Sequence, residues 1–495
     1  MQNFSSPSPS QRITSSHRAA LSASAGASHG IYLGHDAGRW HFVPPEQSVM
    51  VLGPPRSGKT TAVIIPNVLA AAGPVVSTST KPDVLDATVG ARSAVGRCLL
   101  FDPTSSVTRA HGLERLRWSP IQSCVSWLGS LATARSLVEV GTGTGTGRGR
   151  QGESSHWTER AQALLAPLLH AAALDGADMR TVLTWVDRHQ ALPAQQVLAG
   201  AGHGATGLAR NLLDGIVTTD ERELSGIWST ASGALAGFRS EQVLEATTAP
   251  DFDAAAFVRS SDTIYIAAPS HRQALVAPLV VGLIEDVRQA TYALAAESEG
   301  RGPGRPPVLL ALDEVANIAP LPELPSMISE GGGQGLVTLA CLQDLSQARH
   351  RWPDHADGFP SLFGSTVVLP GIGDVRTLQA LSTLAGDEEV PIRTMSVGRN
   401  PTGHPLADLV TGGRPHLGES ATTQRRPRLP ADAIARGVAG HVLVFDRRNQ
   451  PDWIPTAASH LAEPWRTLRS WSRQLDQHGP SRGLPPTGMD LGHGR

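Results

Sequence analysis

Gly53-Pro54-Pro55-Arg56-Ser57-Gly58-Lys59-Thr60 fits the pattern G-x-x-x-x-G-K-[ST], and those residue types at that spacing make a cradle for a polyphosphate. Glycines let successive backbone N–H groups curl around an anion at a helix N-terminus, a lysine reaches the β and γ phosphates, and a hydroxyl ligates Mg²⁺. The candidate contacts to ATP are therefore these eight residues and Thr61, with Lys59 also a catalytic candidate and Thr60 a candidate ligand of Mg²⁺. A chance Gly-Pro turn is the competing explanation. Composition weighs against it: only Lys59 and Lys81 are Lys among 42 Lys plus Arg, so chance rarely puts one at this position.

A P-loop needs a second acid for the metal, and Asp313 ends the apolar run of VLLALDE, residues 308–314, where a Walker B carboxylate belongs. Side chains alternate at a strand end, so Asp313 and Glu314 need not share a role. Asp313 is assigned to Mg²⁺ through a water and Glu314 to the attacking water as base. The alternative is a helix N-terminus decorated with acids. Gln343 ends the next strand-like segment, at the place from which a side chain senses the γ phosphate; a polar strand terminus explains it equally simply. Lys81 falls just past the strand GPVVSTST, at the carboxyl edge where α/β sheets bind ligands, or is a solvated surface lysine. An arginine supplied across a subunit boundary would complete hydrolysis. Arg349, Arg351 and Arg376 are candidates, with Arg376 preferred, though a chain with 40 Arg offers many for solubility alone.

The elements that must position these residues follow from pattern. IYLGHDAGRWHFVPPEQ, from Ile31, predicts a small strand pair. From Ser48 a buried strand, the Gly-rich turn, an apolar helix and a second strand recur at the spacing of parallel α/β units. A third unit adds a helix near 83–95 and the strand RCLLFDP at 97–103. Helical patterns then replace strands between about 104 and 250. Within 156–174, Ala161, Leu164, Leu165, Leu168 and Leu169 share one face. GTGTGTGRGR, residues 141–150, reads as a flexible loop. Strands return at 261–270, 308–314, 335–343, 365–371 and 440–446, with one helix of about 20 residues ending at Leu294 and a shorter one from Asp374 to Leu384. Residues 386–430 are rich in Pro, Gly and Arg, and periodicity is lost beyond Leu461.

The fold class expected is α/β: a RecA-like P-loop domain with a mainly parallel sheet, interrupted by an inserted all-α domain. The boundaries expected are a disordered tail at 1–30, nucleotide-binding halves at 31–103 and 251–460, the insertion at 104–250, and a mobile tail at 461–495.

With 495 residues the chain has ample length for a large core. Its net charge of −2 excludes a globally basic nucleic-acid coat or polybasic membrane binder, so any nucleic-acid contact is local. Cys98, Cys124 and Cys341 are odd in number and far apart, without C-x-x-C, which indicates neither a disulfide framework nor a zinc site and suits a reducing cytosol. The charge-free stretch 60–80 is interrupted by Pro66, Gly73 and Pro74 and is no bilayer helix. The first 30 residues hold nine Ser and no apolar signal-peptide region.

The residues resemble the TraG/TraD-like coupling ATPases of conjugative type IV secretion, within the FtsK/HerA group of RecA-like motors. The match is carried by VLGPPRSGKTTAVIIPNVLAAAGPVVSTSTKPDVLDAT, by LLFDP with LRWSPI, by HWTERAQALLAPLLHAAA, by ALDEVANIAPLPELPSMISEGGGQGLVTLACLQDLSQ, by LFGSTVVLPGIGDVRTLQALSTLAG and by RRPRLPADAIARGVAGHVLVFDRRNQP. It covers about residues 31–457, with Ser119 where the family usually has Asn. The resemblance implies a homo-hexameric ring that uses ATP and Mg²⁺ to move DNA, with its attached relaxase, toward the secretion channel, and substrate selection by the all-α domain. Family members usually begin with transmembrane helices, and none is legible here. A cytoplasmic protein recruited to the inner face of the membrane by a separate membrane subunit is the expectation. A protein-export or double-strand DNA translocase of the same superfamily, and a nucleotide-gated relaxosome adaptor without productive hydrolysis, stay open as alternatives.

Overall fold

Residues 30–36, 39–108, 113–143, 151–200, 205–297, 305–400 and 414–470 are described in a computed structural model. Short apolar runs build the sheet. The strands are β1 (Tyr32–Asp36), β2 (Arg39–Phe42), β3 (Val49–Leu52), β4 (Val75–Ser79), β5 (Cys98–Phe101), β6 (Glu114–Arg115), β7 (Thr263–Ala267), β8 (Val308–Leu312), β9 (Leu336–Leu342), β10 (Ser365–Val368), β11 (Asp387–Asn400), β12 (Arg414–Pro427), β13 (His441–Phe445) and β14 (Pro451–Pro455). Ten of them form one sheet in the order β14-β13-β10-β3-β9-β8-β4-β7-β5-β6. From β10 to β6 all neighbours are parallel, and β13 and β14 close one edge antiparallel. VMVL, VLLAL and LVTLACL are buried along their whole length, as strands covered on both faces must be.

Alternation along β3 sends Val49 and Val51 to one face and Met50 and Leu52 to the other. On the first face lie α1, which starts at Lys59–Ile64 and continues as Ile65–Ala70, α2 (Asp83–Arg92) and the β1–β2 pair. On the second lie α3 (Trp127–Gly141), α4 (Gln151–Asp175) and a long helix Gln273–Glu297. The predicted apolar stripe Ala161, Leu164, Leu165, Leu168 and Leu169 is wholly buried. The helices Met179–Asp187, Leu192–Gly200, Ala205–Val217 and Glu221–Ala234 complete a helical body between β6 and β7.

Three boundaries differ from expectation. The sheet continues past residue 104, because β6 pairs with β5 through Leu99↔Glu114 and Leu100↔Arg115; two exposed charged residues carry no strand signal of their own. Between 386 and 430 lies the ribbon β11–β12, paired over its full length. Its described side chains are exposed or half-buried, so no apolar alternation announced it. The tail expected from 461 is instead packed up to residue 470: Trp465 and Leu468 are fully buried, and the Trp465 ring lies 5.1 Å from Tyr32 and 5.7 Å from Trp40. Residues 1–29, 144–150 and 471–495, where tails and a Gly-Thr loop are expected, lie outside the described residues.

The helical body is joined to the sheet through Asp286. Its carboxylate accepts from Trp118 Nε1 at 2.7 Å and from Ser123 Oγ at 2.5 Å, and burial pushes its pKa up against those two bonds. Trp118→Phe removes the indole N–H together with one ring of the buried indole and leaves that carboxylate one donor short; the lost donor alone is expected to cost about 1–3 kcal/mol, and the smaller ring adds to it. The check is the urea midpoint: an unchanged value would show that the indole N–H contributes nothing at this joint.

Candidate nucleotide-binding site

Strand register brings the site together. Leu52 pairs with Leu342, Leu312 with Ala340 and Thr78 with Leu312, so the chain leaves the sheet at Gly53, Gln343, Asp313 and Ser79 along one carboxyl edge. The P-loop hangs on this edge by Gly53 N–H donating to Leu342 O at 3.2 Å. An added Cβ at Gly53 would stand 2.6 Å from Ser57 Oγ and 3.0 Å from Leu369 Cβ, so the close approach of these side chains favours glycine there. Gly58 sits at φ 100°, a left-handed conformation that glycine adopts without strain, and it turns the loop into α1. Arg56 is left-handed too, at φ 66°, and exposed with Pro55 at the loop's outer rim, while Pro54 is half-buried. The Ser57 hydroxyl is buried with no hydrogen-bond partner among the described residues.

Lys59 is buried, and its ammonium donates to Gly53 O and, at 3.0 Å, to Pro54 O. The cation thus lies folded against the inside of its own loop, on two backbone carbonyls. Thr60 Oγ1 donates to Asp313 Oδ2 at 2.7 Å, joining residues 253 positions apart. Thr61 Oγ1 turns back to Gly58 O at 3.3 Å. Burial raises the Asp313 pKa; the Thr60 bond opposes this, Glu314 adds to it and Lys59 opposes it. A carboxylate held in this way gains from a cation beside it. The hydroxyl and carboxylate oxygens are the hard donors that Mg²⁺ takes.

Glu314 is left-handed at φ 53° and ψ 46° and precedes the short helix Val315–Ile318. This conformation costs of the order of 1–3 kcal/mol for a non-glycine residue, and it turns the chain sharply between two adjacent acids. The Glu314 carboxylate accepts from Asn317 Nδ2 at 3.2 Å. Gln343 lies between the P-loop strand and the Asp313 strand, half-buried, its N–H donating to Gln347 Oε1 at 2.8 Å.

The other candidates fare differently. Arg349 pairs within the chain to Asp374 at 2.6 Å, Arg351 is half-buried with its pKa lowered by desolvation, and Arg376 is exposed on the helix Val375–Ala385 that follows β10. Lys81 is exposed two residues past the end of β4, its N–H on Ser79 Oγ at 3.4 Å. Among the described residues no hydrogen bond or ion pair joins it to the Thr60–Asp313 pair. Two positioning groups escaped the sequence. Asn317 had a signal, lying three residues after Glu314 across one turn. Thr78, whose hydroxyl holds Asp313 O at 2.9 Å, had none, because only the sheet order sets it beside β8.

A P-loop at the carboxyl edge of a parallel sheet, with its acid on the next strand but one, defines a RecA-like P-loop nucleotide-binding fold. The profile of the family "Type IV secretory system Conjugative DNA transfer" matches residues 12–403, and the chain belongs to that family. Two Escherichia coli proteins, each a conjugal transfer protein TraG, are 26% identical to it over 357 and 333 residues, covering 66% and 62% of this chain and 53% and 49% of theirs. The chain spans about half the length of these curated relatives. Among solved structures, the unbound bacterial conjugative coupling protein TrwBdeltaN70 superimposes with a TM-score of 0.61 at 18% identity, covering 86% of this chain and 88% of that one. The plasmid coupling protein TrwB in complex with ADP and Mg²⁺ gives 0.58 at 17%, covering 87% and 91%. That likeness is one of fold. No helix of the described residues is long and apolar enough to cross a membrane.

Proposed function

We propose that this chain is the ATP-hydrolysing motor of conjugative DNA transfer, acting as a ring of identical subunits, with the two segments that build the sheet, up to β6 and from β7 on, as its nucleotide-binding halves and the helical segment between β6 and β7 as the part that selects cargo. The observation that carries the reading is the 2.7 Å bond from Thr60 Oγ1 to Asp313 Oδ2, which puts the P-loop hydroxyl and the strand-end acid at one point. Family membership and the TrwB fold support it, and TrwB itself has been solved with the ATP analogue ADPNP and with ADP and Mg²⁺.

In this reading the N–H groups of the loop and the Lys59 ammonium, released from Gly53 O and Pro54 O, hold the β and γ phosphates. Thr60 directly, and Asp313 through a water, hold Mg²⁺, which when bound neutralises phosphate charge. Glu314, oriented by Asn317, takes a proton from the attacking water, and Gln343 hydrogen-bonds that water and the γ phosphate. The metal is hard and oxygen-liganded, in keeping with the donors present. DNA, its relaxase and the secretion channel or a separate membrane subunit are the partners, with DNA held at local contacts in the ring, as the net charge of −2 requires. Arg376 is the candidate to reach a neighbouring subunit's nucleotide.

The test is steady-state ATP hydrolysis over a range of protein concentrations, alone and with single- or double-stranded DNA. Turnover that rises with DNA and with protein concentration is expected. Basal turnover indifferent to both DNAs would move the reading to protein export.

A further inference from the structure

The first turn of α1 has an unusual hydrogen-bond pattern with a consequence for the nucleotide. Ile65 N–H reaches back five residues to Thr60 O, and Lys59–Ile64 is π-helical. In that register Thr61 O would receive its bond from residue 66, which is proline and has no N–H. A distant part of the chain fills the gap: Ser459 N–H donates to Thr61 O at 2.8 Å. Ser459 is fully buried, and its hydroxyl accepts from Arg469 at 2.6 Å. Beyond it, Trp465 and Leu468 are fully buried against the β1–β2 pair. The segment is thus fixed on both sides of a tight turn, closed by Leu461 N–H to Ala458 O at 2.8 Å. Between the two anchors His460 is exposed and Leu461 is 65% exposed.

Sheet order tells which end of a nucleotide this turn meets. In the proposed reading Thr60 and Asp313 mark the metal and the β and γ phosphates, and the Asp313 strand lies on one side of β3, beyond β9. A polyphosphate running from that end across the start of α1 would send its nucleoside to the other side of β3, where β10, β13 and β14 lie; turn 458–461 follows β14 in the chain. An imidazole and an isobutyl group exposed on a turn that hydrogen-bonds the first turn of α1 offer an apolar and π-bearing surface on that side.

We propose that turn 458–461 is the base-side wall of the nucleotide site, the His460 ring stacking on a purine and Leu461 covering its edge. This rests on the ATP-binding reading above and extends it to base recognition. Stacking of one ring on one base changes affinity by about tenfold.

The test measures binding of ATP, CTP and inorganic tripolyphosphate to the full chain with Mg²⁺, for the native protein and for His460→Ala, His460→Phe and Leu461→Ser. The native protein should prefer ATP to CTP. His460→Ala should weaken ATP about tenfold, leave tripolyphosphate unchanged and level the ATP to CTP preference; His460→Phe should keep it. An ATP to CTP ratio unchanged in both His460→Ala and Leu461→Ser, with tripolyphosphate binding intact, would overturn the base-side wall alone. Equal loss of ATP and tripolyphosphate in His460→Ala would also overturn it, since the turn would then only brace the P-loop. Failure of the native protein to bind either ATP or tripolyphosphate would instead refute the nucleotide site itself.

Discussion

Glu314→Gln is expected to bind ATP with near-native affinity and to hydrolyse it about 10²–10⁴ times more slowly, leaving ATP trapped on the protein. Glutamine keeps the shape and the polar contact to Asn317 Nδ2 but cannot accept a proton from water. The left-handed backbone at φ 53° and ψ 46° is common to both residues, so the variant should fold as the native chain does. The Thr60–Asp313 pair at 2.7 Å is untouched, which keeps the metal-binding oxygens. Rapid filtration after incubation with labelled ATP separates the outcomes: retained, unhydrolysed ATP supports the base role, and native turnover removes Glu314 from it.

Lys59→Ala should act earlier, at phosphate binding. The lysine is buried with its ammonium on Gly53 O and Pro54 O, and it is the one cation inside the loop among the described residues. Its loss takes the charge that meets the β and γ phosphates and is expected to lower kcat/KM about 10²–10³-fold. In the proposed function Lys59 and Glu314 serve one reaction, so the double variant should lose little more than the worse single one. Multiplicative losses in the double variant would mean that the two residues act independently and would count against the shared site. Thermal unfolding serves as the control, because alanine leaves the two carbonyls free to take water.

The parts of the site that are local in the chain were legible without coordinates. Eight consecutive residues, Gly53 to Thr60, specify a loop whose chemistry depends on the order of residue types, and apolar runs fully buried on both faces specify β3, β8 and β9. Asp313 was found because a carboxylate ending such a run has a defined address at the sheet's edge. By contrast, the described side chains of β11 and β12 are exposed or half-buried and bury no face, while β6 is two charged residues whose pairing with β5 is decided by β5. Trp465 and Leu468 showed only an isolated apolar pair; the cluster around Tyr32 and Trp40 gives them their place.

Sequence by itself therefore determined the phosphate-binding loop, the strand-end acids and the α/β class, since each rests on hydrogen-bonding groups and side-chain periods within a few consecutive residues. Tertiary structure alone decided that β9 lies between β3 and β8 and sets Gln343 beside Gly53, that Thr78 holds Asp313, that Glu314 turns left-handed, and that Ser459 supplies the N–H which Pro66 denies to Thr61. These depend on which strands neighbour one another and on which buried polar group lacks a partner. Both are properties of the packed whole, because a buried carbonyl must be satisfied by whatever donor the fold brings to it.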